Sequence, residues 1–197
     1  NYKVNKYDTN KLTNFLVNDF YWNQRDINYA NGFKGKFLGN VKNINYETKN
    51  VDLYKNDTTN ELYGAIGYLT EVDLQKNNRG SNHNLTPKML IRYSPGQMRK
   101  EINGSKLNPI NAFSIDRLNN INNFETGLSS TVGFDYNIKK NNKNLNFSIA
   151  QIINEKENKK MSEESSLDEK LSDLVGSTSY QLNNTISLNH NYAIDQN

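Results

Sequence analysis

The sequence predicts an all-β protein: an antiparallel up-and-down transmembrane β-barrel segment with about eight spanning strands across residues 1–197. Three observations predict it. Apolar and polar residues alternate over long stretches, most cleanly from 124 to 138. The chain is only 35% hydrophobic, with a mean hydropathy of −0.88, yet 11% of it is aromatic and the rings lie inside the alternating stretches. Short polar turns also take their place among much longer connections, as in barrels with short turns at one rim and long loops at the other.

The strands follow in order. Two segments, 12–22 and 33–44, alternate less cleanly than the rest. Next, Leu62, Ile66, Tyr68, Val72 and Leu74 share a face opposite Glu61, Gly67, Glu71 and Asp73. Leu85, Met89, Ile91 and Tyr93 share one opposite Lys88 and Arg92. From Phe124 the even positions Leu128, Val132, Phe134, Tyr136 and Ile138 oppose Glu125, Gly127, Ser129, Thr131, Gly133 and Asp135. Successive side chains of a strand point to opposite faces, so each stretch is a ribbon with one apolar and one polar side. Leu145, Phe147 and Ile149 continue the pattern, as do Thr178 and Tyr180, then Leu188, Tyr192 and Ile194. Asn183-Asn184 reads as a tight hairpin turn.

Length separates membrane strands from soluble ones. A globular strand runs about 5–6 residues, whereas a tilted bilayer-spanning strand needs roughly 9–11. The 124–138 alternation covers the larger number. Lys or Arg facing lipid at the bilayer centre costs about 2–4 kcal/mol, which fixes the phase. Lipid therefore meets Met89, Ile91, Tyr93, Phe124, Leu128, Val132, Phe134, Tyr136, Phe147, Ile149, Tyr180, Leu188 and Tyr192. The polar candidates for a hydrated lumen are Glu61, Glu71, Asp73, Lys88, Arg92, Glu125 and Asp135. The connections 94–123 and 156–171 read as long outer loops, the second of them solvated, with the short apolar piece 113–118 in or above the first. Backbone groups left unpaired in hydrocarbon cost several kcal/mol each, so an open sheet cannot face lipid. The expectation is an arc of a larger barrel with strands missing on both sides.

No catalytic constellation emerges. Cys is absent, so disulfides and thiolate metal sites are excluded. His83 and His190 lie in different elements without metal-ligand spacing. No Gly-x-Ser-x-Gly elbow or phosphate loop occurs. The net charge of +3 is spread among interleaved acids and bases, as in Glu155-Lys156-Glu157, unlike the basic stripe of a nucleic-acid binder. No enzyme activity, cofactor or nucleic-acid partner is expected.

Several segments carry a family resemblance. Leu85-Thr86-Pro87-Lys88 leads through Arg92-Tyr93-Ser94-Pro95 to Met98-Arg99. Phe113-Ser114-Ile115-Asp116-Arg117-Leu118 is followed by Glu125-Thr126-Gly127 and Gly133-Phe134-Asp135-Tyr136. Phe147 to Gln151 comes next, and then Ser172-Asp173-Leu174-Val175-Gly176. In order and spacing these resemble the barrel domain of the LptD family, with 85–197 the closer part and 1–84 the looser. The family-like positions are Pro87, Pro95, Arg99, Asp116, Arg117, Gly133, Asp173 and Gly176. The resemblance implies an outer-membrane barrel that inserts lipopolysaccharide into the outer leaflet. It also implies an LptE-like plug lipoprotein, periplasmic lipopolysaccharide-bridge proteins and outer-membrane lipid as partners. It places this segment between the first and last barrel strands, without the N-terminal jellyroll. A porin-type or gated channel of another family, and a soluble β-rich adhesion or binding module, are the alternatives that the residues leave open.

Overall fold

The structure, a computed structural model, describes residues 1–6, 11–52, 54, 58–78, 80–101, 106–183 and 185–195. Eleven strands form one antiparallel sheet. They are β1 (Tyr2–Lys6), β2 (Leu12–Asn23), β3 (Ile27–Asn28), β4 (Phe33–Lys49), β5 (Thr58–Val72) and β6 (Leu74–Asn78), followed by β7 (Ser81–Ser94), β8 (Gly127–Lys140), β9 (Lys143–Asn154), β10 (Leu174–Gln181) and β11 (Ser187–Ile194). The order β1-β2-β4-β5-β7-β8-β9-β10-β11 is the sequence order, with β3 beside β4 and β6 beside β7. This is the up-and-down arrangement expected of a barrel segment. The eight predicted spanning segments are all present, and β1 is an additional strand that the alternation did not mark.

β5 and β6 are one strand interrupted opposite Pro87. Glu71 pairs with Lys88 and Leu74 with Leu85, while the residues between make no ladder pairs to β7. Proline has no N–H to donate, so the ladder lapses there and resumes beyond. The β8–β9 hairpin turns on Asn141 and Asn142, with Lys140 opposite Lys143. Asn141 takes a left-handed φ of 52°, a conformation that asparagine tolerates.

The short β2–β4, β6–β7, β8–β9 and β10–β11 connections leave the strands at one rim of the sheet, and the β4–β5, β7–β8 and β9–β10 connections at the other. Asn183 accepts hydrogen bonds from the N–H groups of Thr185 and Ile186, as in an Asx turn, while Asn184 lies outside the described residues.

The two faces differ sharply. On one, the open face, Leu62, Ile66, Met89, Ile91, Tyr93, Leu128, Val132 and Leu188 are exposed. The other is covered by 95–101, 106–126 and 155–173. Two apolar clusters form beneath these loops. Phe15, Val17, Ile44, Tyr46 and Leu90 pack with Ile115 and Phe124, and Ala150, Ile152 and Val175 pack with Met98, Leu118, Met161 and Leu167.

Three expectations change. Phe124 is not on the outer face: it is fully buried, in the loop that leads to β8. Gly127 takes φ +121°, which starts the strand at Gly127 and lets Phe124 and Glu125 turn beneath the sheet. The piece 113–118 lies against the covered face, with Ile115, Asp116, Arg117 and Leu118 all buried. It follows a one-turn helix, α1 (Pro109–Ala112), capped by Asn108, whose side chain accepts from the N–H groups of Ile110 and Asn111. The connection 155–173 is also partly folded, burying Met161, Leu167 and Asp168, because its apolar residues complete the second cluster.

Candidate functional site

On the covered face, three charged knots bind the described parts of the β7–β8 connection, 95–101 and 106–126, to the sheet. In the first, β7 supplies Arg92, whose side chain is 1% exposed. Its Nε donates to the Ile115 carbonyl at 2.7 Å and its Nη2 to the Glu125 carbonyl at 2.6 Å. Arg117 Nη2 donates to Glu125 Oε1 at 2.6 Å and to Ser129 Oγ on β8 at 2.5 Å. Glu125 thus sits between two guanidinium groups, with Arg92 Nη1 3.8 Å from the same carboxylate oxygen. The Phe124 ring lies under Arg92, 5.5 Å from the guanidinium carbon.

The second knot joins β4 to the loop. Lys42 Nζ donates to Asp116 Oδ2 at 2.8 Å and to the Asn120 carbonyl at 2.5 Å, and stands 3.8 Å from Asp19 of β2. Asp116 also accepts from the Asn119 N–H and the Tyr21 hydroxyl. In the third, Arg99 pairs with Glu61 of β5 while its guanidinium covers the rings of Tyr46 and Tyr54 at 4.7 and 4.9 Å. The hydroxyls of Tyr46 and Tyr63 donate to the same Glu61 carboxylate at 3.2 and 2.9 Å. Burial pushes the Tyr54 phenol above its ordinary range, against the pull of the Arg99 charge.

The loops also hold each other. Glu101 N–H donates to the Lys160 carbonyl at 2.7 Å, and the Glu101 carboxylate accepts from the side chains of Asn120 and Asn123. Thr131 Oγ1 donates to the Ala112 carbonyl at 2.9 Å, tying α1 to β8.

Six sequence candidates come together here: Glu61, Arg92, Arg99, Asp116, Arg117 and Glu125. Arg92 and Glu125 correct the expectation of hydrated groups. They are on the polar face but dry, because the loop lies over them. The remaining polar candidates lie toward the short-turn rim. Lys88 Nζ donates to Asp135 Oδ2 at 2.6 Å. Asp73 accepts from Lys34 at 2.5 Å and from Thr86 at 2.8 Å, and Glu71 is half-buried opposite Lys34 and Lys88.

On the open face, Phe134, Tyr136, Phe147, Ile149, Tyr180 and Tyr192 are half-buried against one another, with the Phe134 and Phe147 rings 5.8 Å apart. Gly176 lies under the Tyr192 ring, where a Cβ would collide with it. A Cβ on Gly133 would collide with the Ile149 carbonyl oxygen of β9. Pro95 is exposed just past β7 and directs the chain out of the strand with Gly96 at φ +97°. The Asp173 N–H donates to Ser166 Oγ at 3.0 Å, and burial, then the charges of Asp195 and Asp168, pushes its carboxyl above the usual carboxylate range.

Sequence reading missed Lys42, Asp19, Tyr46 and Tyr63. Lys42 carried a signal, as a lone charge in the polar phase between Val41 and Ile44, but its partner Asp116 is 74 residues away.

Fold and site define a class: an antiparallel up-and-down barrel segment with one open apolar face and the other face packed by its own loops. The LptD family model, LPS transport system D, matches residues 65–197, and the chain belongs to that family. The family is one of lipopolysaccharide transport and assembly. No curated protein matches the chain. The matched span contains Arg92 of β7 and the loop side of all three knots, Arg99, Asp116, Arg117 and Glu125.

Proposed function

We propose that this chain forms part of the wall of an outer-membrane barrel through which lipopolysaccharide is inserted into the outer leaflet, with the open face against lipid and the covered face toward the lumen. The observation that carries the proposal is the exposed apolar stripe across the open face of a sheet belonging to a lipopolysaccharide-transport family. From Leu128 to Ile138 the stripe runs eleven residues of β8, ten steps or about 33 Å at 3.3 Å per residue. At a tilt of about 40° that is a band roughly 25 Å tall, the height of an outer-membrane hydrocarbon belt.

In this reading the short turns face the periplasm and the long loops the exterior, so 95–101, 106–126 and 155–173 fold inward from outside as an internal seal. Among the described residues β1 and β11 each pair on one side only. Because an unpaired edge in hydrocarbon is costly, further strands are proposed to complete the barrel. An LptE-like lipoprotein and the periplasmic lipopolysaccharide-bridge proteins are the proposed partners, and the chain works without cofactor or catalysis.

Trp22 tests the reading. It is the single tryptophan and is exposed on the open face of β2, lying over Gly39. In vesicles its fluorescence is expected to be quenched by lipids brominated on their acyl chains. Emission that water-soluble quenchers reach and brominated lipids do not would refute the membrane orientation.

A further inference from the structure

The short-turn rim of the open face carries a row of bases. Lys76 of β6 stands opposite His83 of β7, and Lys140 of β8 opposite Lys143 of β9. Directly opposed residues share a face, and the register places these four in phase with Leu85 and Tyr136 of the open face. Asp73 and Asp135 at this end point to the covered side, where Lys34, Thr86 and Lys88 engage them, and Glu71 is in the same phase opposite Lys34 and Lys88. Like charges directly opposite each other destabilise a strand pair. The fold alone therefore gives no reason to set Lys140 against Lys143.

One residue step nearer the sheet centre the surface becomes amphipathic. The Tyr136 hydroxyl is 2.8 Å from His83 Nδ1, and His83 Nε2 is 3.0 Å from Ser81 Oγ. The imidazole is thus a prop for the phenol at the polar edge. Beyond it Leu85, Pro87, Gly133, Phe134 and Tyr136 line a shallow apolar depression, beside the ladder lapse at Pro87.

We infer that this rim is a docking collar for acidic phospholipids of the adjacent leaflet. The lysines hold the headgroup phosphates, and an acyl chain lies in the depression over Pro87. Basic side chains flanking a hydrocarbon belt attract anionic lipid headgroups, and long lysine side chains reach up to the interface from strand ends. The inference rests on the membrane orientation of the open face proposed above.

The test incorporates the protein into phosphatidylcholine vesicles containing spin-labelled phosphatidylglycerol or spin-labelled phosphatidylcholine, and measures the lipid fraction immobilised at the protein surface. Phosphatidylglycerol is expected to be preferred. Each of Lys76→Gln, Lys140→Gln and Lys143→Gln is expected to lower that preference about fivefold or less, as for a lysine near a charged surface. Lys139→Gln, in the covered phase of β8, is expected to leave it unchanged. Inorganic phosphate at matched ionic strength is expected not to compete, and full competition would overturn the lipid assignment in favour of a free-anion site. Equal immobilisation of both lipids, with Trp22 still quenched by brominated chains, overturns the collar alone. Loss of that quenching overturns the collar and the membrane orientation together.

Discussion

Arg117 Nη2 lies 2.6 Å from Glu125 Oε1, and the two side chains are 0% and 5% exposed. Both residues belong to the segment between β7 and β8, yet Arg117 also holds Ser129 on β8 and Glu125 also holds Arg92 on β7. One ion pair therefore fastens the inward-folded loop to two neighbouring strands.

Arg117→Ala is expected to leave the Glu125 carboxylate with only the longer contact to Arg92. Removing one partner of a buried pair costs about 3–5 kcal/mol. Hydrogen exchange should show faster exchange across 106–126, with β8 and β9 still protected. Arg99→Ala should cost less, since its pair with Glu61 is partly exposed. Equal protection of the loop in Arg117→Ala and the unaltered protein would show that the pair is not what fastens it.

Neighbouring positions on β9 separate the two faces at one depth. Ile149→Arg puts a charge on the open face, at a cost of about 2–4 kcal/mol if that face meets the hydrocarbon centre. Ser148→Arg places it on the covered face, opposite Asp135. Only the first is expected to reduce the folded, heat-modifiable band on electrophoresis. Thr131 is unsuitable for the comparison because it is buried beneath α1.

Gly133→Ala is expected to weaken the β8–β9 pairing by about 1–3 kcal/mol, the usual range for overpacking, because the added Cβ meets the β9 backbone. Gly64→Ala should be near neutral, as its nearest neighbour would be the Asn40 carbonyl oxygen at 3.5 Å. Thermal unfolding in detergent checks both. Equal midpoints would show that β8 and β9 can separate freely at Gly133.

The strands were legible because a period of two is a local property. Leu128, Val132 and Phe134 declare their face through their immediate neighbours. The start of β8 was misread because Phe124 and Glu125 continue the alternation by chance, and only the positive φ of Gly127 separates them from the strand. The site was legible as residues and not as an assembly. Asp116, Arg117, Arg99 and Arg92 stood out, but their partners are distant in sequence, as with Lys42 and Asp116 or Arg99 and Glu61. A charged residue in the polar phase of a strand reads the same whether water or a folded loop covers it. That ambiguity made Arg92 and Glu125 look hydrated.

The most direct test is a single-cysteine scan of β9 in bilayers, to which residues 1–197 contribute no native cysteine. Spin labels at 145–153 would be read for collision with oxygen, which partitions into lipid, and with a water-soluble nickel complex. Positions 145, 147, 149 and 153 are expected to show high oxygen and low nickel accessibility, with 146, 148, 150 and 152 showing low oxygen accessibility. Oxygen accessibility without that period of two, or nickel reaching 147 and 149, would contradict a sheet whose open face meets lipid.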